Sequence, residues 1–224
     1  TVPWSGPLGE QPTVTSTTYG ARECAQVSFL KSGQLAATCV SPTGERAVVI
    51  DPRNMRPTSW RELPYRPSGG LNPFTSVCTG TGFFLDDKDR MVVATAARQL
   101  VRLLPGEGLK EDRSFDLTGQ VSASDCLIAT LPDWAGRLWF LSRNGVVGFV
   151  DPATGRTRSR QLGGKSLTTL TADDTGGVYA LTDRALFQLR ASSVGVRVGW
   201  RRGHGQGSGT PPMVLPGGRI AFTD

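Results

Sequence analysis

The side chains able to do chemistry are few in this chain, and their spacing limits what that chemistry can be. The one histidine, His204, sits between Gly203 and Gly205, with Ser208 four residues on. A serine–histidine pair works only if a rigid hydrogen bond and an orienting acid hold it, and this glycine-rich tract predicts neither. The run Gly205-Gln206-Gly207-Ser208-Gly209 lacks the lysine and following helix of a phosphate loop. It does let a backbone approach a ligand closely, so the tract is expected to be a binding loop with Ser208 as its ligand-binding residue. The four cysteines, Cys24, Cys39, Cys78 and Cys126, form no C-x-x-C pair. With a single histidine, that spacing argues against a zinc site. Two disulfides are the expected arrangement and would place the protein outside the cytosol; four buried thiols are the alternative.

The elements that must hold these residues repeat. Five segments share an apolar strand, a tight turn and a second apolar strand, with turn residues Gly33, Asp89, Gly136, Gly176 and Gly218. Spacings of 56, 47, 40 and 42 residues separate them. Two positions past the turn come Leu35, Met91, Leu138, Val178 and Ile220; four past it come Ala37, Val93, Phe140, Ala180 and Phe222. Alternation after a turn signal marks hairpins. A third apolar strand and a fourth, polar one follow each of the first four hairpins. Four strands per repeat of roughly 40–50 residues is the pattern of β-propeller blades, with strand one lining a central channel and strand four outermost. Twenty-eight glycines and fifteen prolines fit many short strands, and the absence of amphipathic helical runs argues against an α/β fold. Trp139, Phe140, Tyr179 and Phe187 fall on strands and are expected between blades; Trp4, Trp60, Tyr65 and Phe74 fall near loops or outer strands.

LIATLPDWAGRLWFLSRNGVVGFVDPATGRTR and LTTLTADDTGGVYALTDRALFQL resemble blades of the NHL, quinoprotein-like and gluconolactonase/senescence-marker propellers. The likeness covers about residues 21–224 and extends to secreted actinobacterial propellers, which implies an extracytoplasmic setting. Propeller ligands bind on the loops entering the first strands, and three of those loops present Glu23, Asn72 and Asp125. The gluconolactonase resemblance implies a divalent metal held there by acidic and amide side chains. Such oxygen ligands suit calcium, which would polarise a carbonyl or activate water. The family's fuller motifs are not reproduced around these three residues. A quinoprotein-type oxidoreductase would need stacking aromatics that the sequence does not assemble.

The expectation is therefore a single all-β domain over residues 1–224 that binds a small molecule or protein at its channel mouth through Glu23, Asn72, Asp125 and Ser208, with no cofactor required. A calcium-dependent lactonase or related hydrolase is the alternative and a quinoprotein-like enzyme the second. Residues 1–20 are read as an extension or closing strand. The repeat count predicts a six-bladed ring of which the chain supplies about four and a half blades, the remainder coming from a further segment or second chain. The net charge of +6 carries 25 basic residues against 19 acidic ones. The arginines are densest at Arg156, Arg158 and Arg160 and at Arg197, Arg201 and Arg202, and are read as solvated strand faces rather than a nucleic-acid footprint. No apolar run reaches the roughly 20 residues of a membrane helix.

The hairpin arithmetic pairs Cys24 with Cys39, because the turn centres near Lys31 and Ser32 and antiparallel partners sit within disulfide reach. Cys78 and Cys126 hold matching positions in consecutive blades, so a second bridge is expected between them.

Overall fold

A computed structural model describes residues 23–41, 43–65, 78, 82–205 and 210–223. It contains four antiparallel four-stranded sheets and a two-stranded hairpin. Blade one comprises β1 (Glu23–Phe29), β2 (Leu35–Ser41), β3 (Gly44–Asp51) and β4 (Arg56–Glu62). Blade two comprises β5 (Phe83–Leu85), β6 (Met91–Ala94), β7 (Gln99–Leu104) and β8 (Lys110–Asp116). Blade three comprises β9 (Leu127–Pro132), β10 (Leu138–Ser142), β11 (Val146–Val150) and β12 (Thr157–Gln161). Blade four comprises β13 (Thr171–Ala172), β14 (Val178–Leu181), β15 (Ala185–Ser192) and β16 (Gly195–Gly203). The hairpin pairs β17 (Met213–Leu215) with β18 (Arg219–Ala221). This is the all-β, four-strand-per-repeat architecture that the sequence predicts.

The second strands β2, β6, β10 and β14 are buried along their whole length, and blades two, three and four each pack against a described neighbour on both faces. Outer strands β4, β8 and β12 alternate or lie open, as expected where one edge meets water. Alternation sends Ala36, Ala47 and Val49 into a cluster with Met91, Val101 and Leu103 of blade two. Phe140 joins Val92 and Leu100 between blades two and three. Trp139 packs with Phe187 and Leu189 between blades three and four. Tyr179 meets Val214 and Phe222 of the final hairpin. All four strand aromatics thus fill the spaces between sheets. Trp60 is 54% exposed on β4, where the Arg46 guanidinium lies 4.0 Å over its ring. Tyr65 is half-buried; Trp4 and Phe74 lie outside the described residues.

Both disulfides are present, Cys24–Cys39 and Cys78–Cys126, and no cysteine is free. Cys24 does face Cys39, but the turn alone does not set that register. Val27↔Ala37 and Phe29↔Leu35 follow one register, and a bulge between Cys24 and Val27 shifts the strand by one residue to bring the cysteines opposite. The second bridge joins the segment before β5 to the one before β9, stapling blade two to blade three.

Candidate functional site

In an up-and-down blade, the turns between strands one and two share one end of the sheet with those between strands three and four. The turns between strands two and three share the other end with the connections between blades. The structure therefore has a loop end and a turn end, and each carries a different set of polar groups.

The loop end holds three of the residues singled out from sequence, Glu23, Asp125 and His204. Glu23 opens β1 and is exposed. Asp125 is 2% exposed, and its Oδ1 accepts the backbone N–H of Cys126 at 2.8 Å and of Asn144 at 3.1 Å. That carboxylate ties the connection into blade three to the β10–β11 turn. Asn72 and Ser208 lie outside the described residues, so the structure does not bring the proposed trio together or separate it. Among the described residues no three His, Cys, Asp or Glu side chains converge as a metal cluster. His204 Nε2 lies 2.9 Å from the Thr182 carbonyl and its ring 5.4 Å from Phe222. The histidine thus fastens the connection after blade four.

Among the described residues, cavities open at the turn end. One of about 620 Å³ opens between blades two and three, lined by Leu85, Arg90, Arg102, Asp133, Trp134 and Ala172. A second of about 580 Å³ is lined by Trp134, Ala172, Asp173, Tyr179, Val214 and Pro216. Trp134 and Ala172 belong to both, so the two form one cleft across blades two to four and the final hairpin. Each lies within the range of small-ligand pockets, roughly 300–1,000 Å³. Trp134 stands on the ridge between them, 75% exposed.

The cleft's shape follows from a repeated turn. Asp86, Asp133 and Asp173 each stand three residues before a turn residue of positive φ (Asp89, Gly136 and Gly176). Each backbone N–H bonds the carbonyl four residues on. Each Oδ1 accepts two backbone N–H groups, from Lys88 and Arg90, from Ala135 and Arg137, and from Thr175 and Gly177. Each Oδ2 takes a side chain from further along: Arg90 Nε at 2.6 Å, Arg137 Nε at 2.8 Å, or the Tyr179 hydroxyl at 2.7 Å. Burial alone would raise the Asp86 carboxyl, but the Arg90 and Lys88 donors outweigh it and hold its pKa below the ordinary carboxylate value. Asp173 is lowered in the same way, against burial, by Tyr179, Gly177 and Thr175. Tyr179 is raised by its own burial and by donating to Asp173. These polar groups are already paired and rigid, and among the exposed large apolar side chains lining the cleft the Trp134 indole is the most open, ahead of Leu215.

Trp134 is the residue that the sequence reading missed. Its signal is positional: the matching site in the other two Asp-headed turns holds Asp87 and Asp174, both charged, and an indole there has no strand to pack into.

No family model matches this chain. An uncharacterized protein of Archaeoglobus fulgidus is 26% identical over 124 residues, covering 48% of this chain and 24% of that protein. Solved propellers superpose on most of it. BamB from Moraxella catarrhalis does so with a TM-score of 0.59 at 15% identity, covering 85% of this chain and 53% of that one. Virginiamycin B lyase from Staphylococcus aureus, solved with quinupristin, gives 0.57 at 14% identity over 81% of this chain and 57% of that one. The Swd1 propeller domain of Myceliophteria thermophila gives 0.56 at 12% identity over 80% and 57%. The fold is a β-propeller. The chain spans just over half the length of each of these three structures and about a quarter of the archaeal protein.

Proposed function

We propose that this chain belongs to an extracytoplasmic β-propeller whose work is binding, with a small molecule or protein partner held in the turn-end cleft against Trp134. One observation carries the reading: two adjoining cavities of ligand size share an indole that is 75% exposed. An exposed large aromatic on a rigid turn is costly to leave in water and is the commonest anchor of recognition surfaces. Two disulfides support the extracytoplasmic setting, and no helix among the described residues is long and apolar enough to cross a membrane. The quinupristin-bound lyase supports small-molecule binding by fold analogy alone.

The test is selection from a displayed peptide and fragment library on the natural protein, followed by titration of the best binders. Trp134→Ala is expected to weaken them at least about tenfold, a typical loss for an aromatic anchor, with unfolding unchanged. Binders that ignore Trp134→Ala would sink the assignment. Stoichiometric calcium binding abolished by Asp125→Asn would move the site to the loop end and restore the hydrolase alternative through Glu23, Asn72 and Asp125.

A further inference from the structure

The arginine groups that look scattered in sequence are neighbours in space. Arg158 and Arg160 lie on β12, Arg197, Arg201 and Arg202 on β16, and all five are exposed. The two outer strands sit side by side: Arg160 Nη1 lies 3.5 Å from the Val196 carbonyl across the gap. Arg158 and Arg160 pair with Phe149 and Val147, which pack in the cluster between blades three and four. Arg201 pairs with Phe187 of that same cluster, its guanidinium 5.8 Å from the ring centroid. These three arginines therefore bracket the outer mouth between the two blades. Arg197 and Arg202 project from the opposite face of β16.

Outer strands elsewhere in the molecule are not built this way. On β4 and β8, four basic residues (Arg56, Arg61, Lys110 and Arg113) are matched by four acidic ones (Glu62, Glu111, Asp112 and Asp116). Those strands are linked by the Arg61–Glu111 pair at 3.1 Å. β12 and β16 hold five arginines and no carboxylate, and none of the five joins an ion pair among the described residues. Arg197 even stands directly opposite Arg190 of β15, a like-charge cross-strand pair that costs stability.

β16 is also a free edge. It runs for nine residues at the end of its sheet, paired only with β15 among the described residues. We propose that this edge docks an acidic, extended polypeptide segment, which adds a strand to blade four while its carboxylates meet the arginines. A polypeptide satisfies both features at once, the open backbone groups and the five cations. A phosphate polymer would satisfy only the cations.

The test uses a labelled nine-residue peptide in which glutamates and threonines alternate in pairs, so that carboxylates project from both faces of the added strand, read by fluorescence anisotropy on the natural protein. Three further probes are the same peptide N-methylated at alternate amides, inorganic polyphosphate and a single-stranded oligonucleotide. The parent peptide is expected to bind and to lose at least about tenfold on N-methylation, and again as salt rises several-fold and screens the charges. Arg197→Glu combined with Arg201→Glu should lower affinity by a similar factor; if that variant does not fold, the N-methyl comparison on the natural protein decides. No binding, equal binding of the N-methylated peptide, or tighter binding of polyphosphate or oligonucleotide each overturns the proposal.

Discussion

Trp139 Nε1 donates to Asp133 Oδ2 at 2.8 Å, so a tryptophan with no exposed surface is tied to the carboxylate that also organises the turn before it. The link runs from turn to core within six residues. It explains why a fully buried indole carries no unsatisfied N–H. The Tyr179 hydroxyl and Asp173 repeat it one blade on.

Asp133→Ala is accordingly expected to destabilise the fold by about 2–3 kcal/mol. It strips partners from two turn N–H groups and from a buried indole N–H, and orphaned buried donors cost roughly 1–3 kcal/mol. Urea unfolding followed by tryptophan fluorescence measures it. A loss under about half a kcal/mol would mean that the turn holds without its carboxylate.

The two disulfides should contribute unequally. The Cys78–Cys126 bridge closes 48 residues and Cys24–Cys39 closes 15, which in the chain-entropy account gives roughly 4 and 3 kcal/mol respectively. Serine replacement of each pair should reproduce that order in the unfolding midpoint. Thiol titration of the denatured, unreduced protein should find none free. The reverse order would show that local fastening of β1 outweighs loop entropy.

Gly148 makes room for Phe140. A Cβ at Gly148 would lie 2.4 Å from Phe140 Cζ and 2.4 Å from the Arg158 carbonyl oxygen, and the two residues are cross-strand partners. Gly148→Ala should therefore cost about 2 kcal/mol or more, in the overpacking range. Adding Phe140→Leu should recover only part of it, because the backbone clash remains. Thermal unfolding of the single and double variants checks the coupling.

The blade pattern is legible in this sequence because burial on both faces forces apolar residues at fixed offsets from each turn. The hydroxyl that closes the next turn is legible too: Thr95, Ser142 and Thr182, six past their turn residues, are buried and accept the N–H of Gln99, Val146 and Ala185. Blade one breaks the offset, since β2 runs seven residues and Ser41 rather than Cys39 serves its turn. The bulge before Val27 shows the same limit, because register depends on backbone irregularities that leave no mark in residue type. The cleft is harder still. Trp134 gains meaning only when Ala172 and Val214 arrive from other blades, and the basic edge only when β12 and β16 are seen to be adjacent.

Glu45 supplies the pH dependence. It is fully buried at the start of β3; Oε2 takes only a 3.4 Å contact from the Ala96 N–H, and Oε1 has no partner among the described residues. Burial raises its pKa well above 4.5, and the Ala96 hydrogen bond offsets little of that. The folded protein therefore keeps this proton at pH values where the unfolded chain, with an ordinary carboxyl pKa of about 4.3, has released it. Since the native state then binds more protons, stability falls as pH rises above the unfolded pKa and levels off beyond the raised folded one. Asp86 and Asp173, whose pKa values are lowered, act oppositely and lose their contribution only in stronger acid. Subtracting the curve of Glu45→Gln from that of the natural protein isolates the first effect. Urea unfolding between about pH 4 and pH 8 should show the variant gaining steadily on the natural protein as pH rises above the unfolded carboxyl pKa. Parallel curves would mean that Glu45 ionises in place, with a partner supplied from outside the described residues.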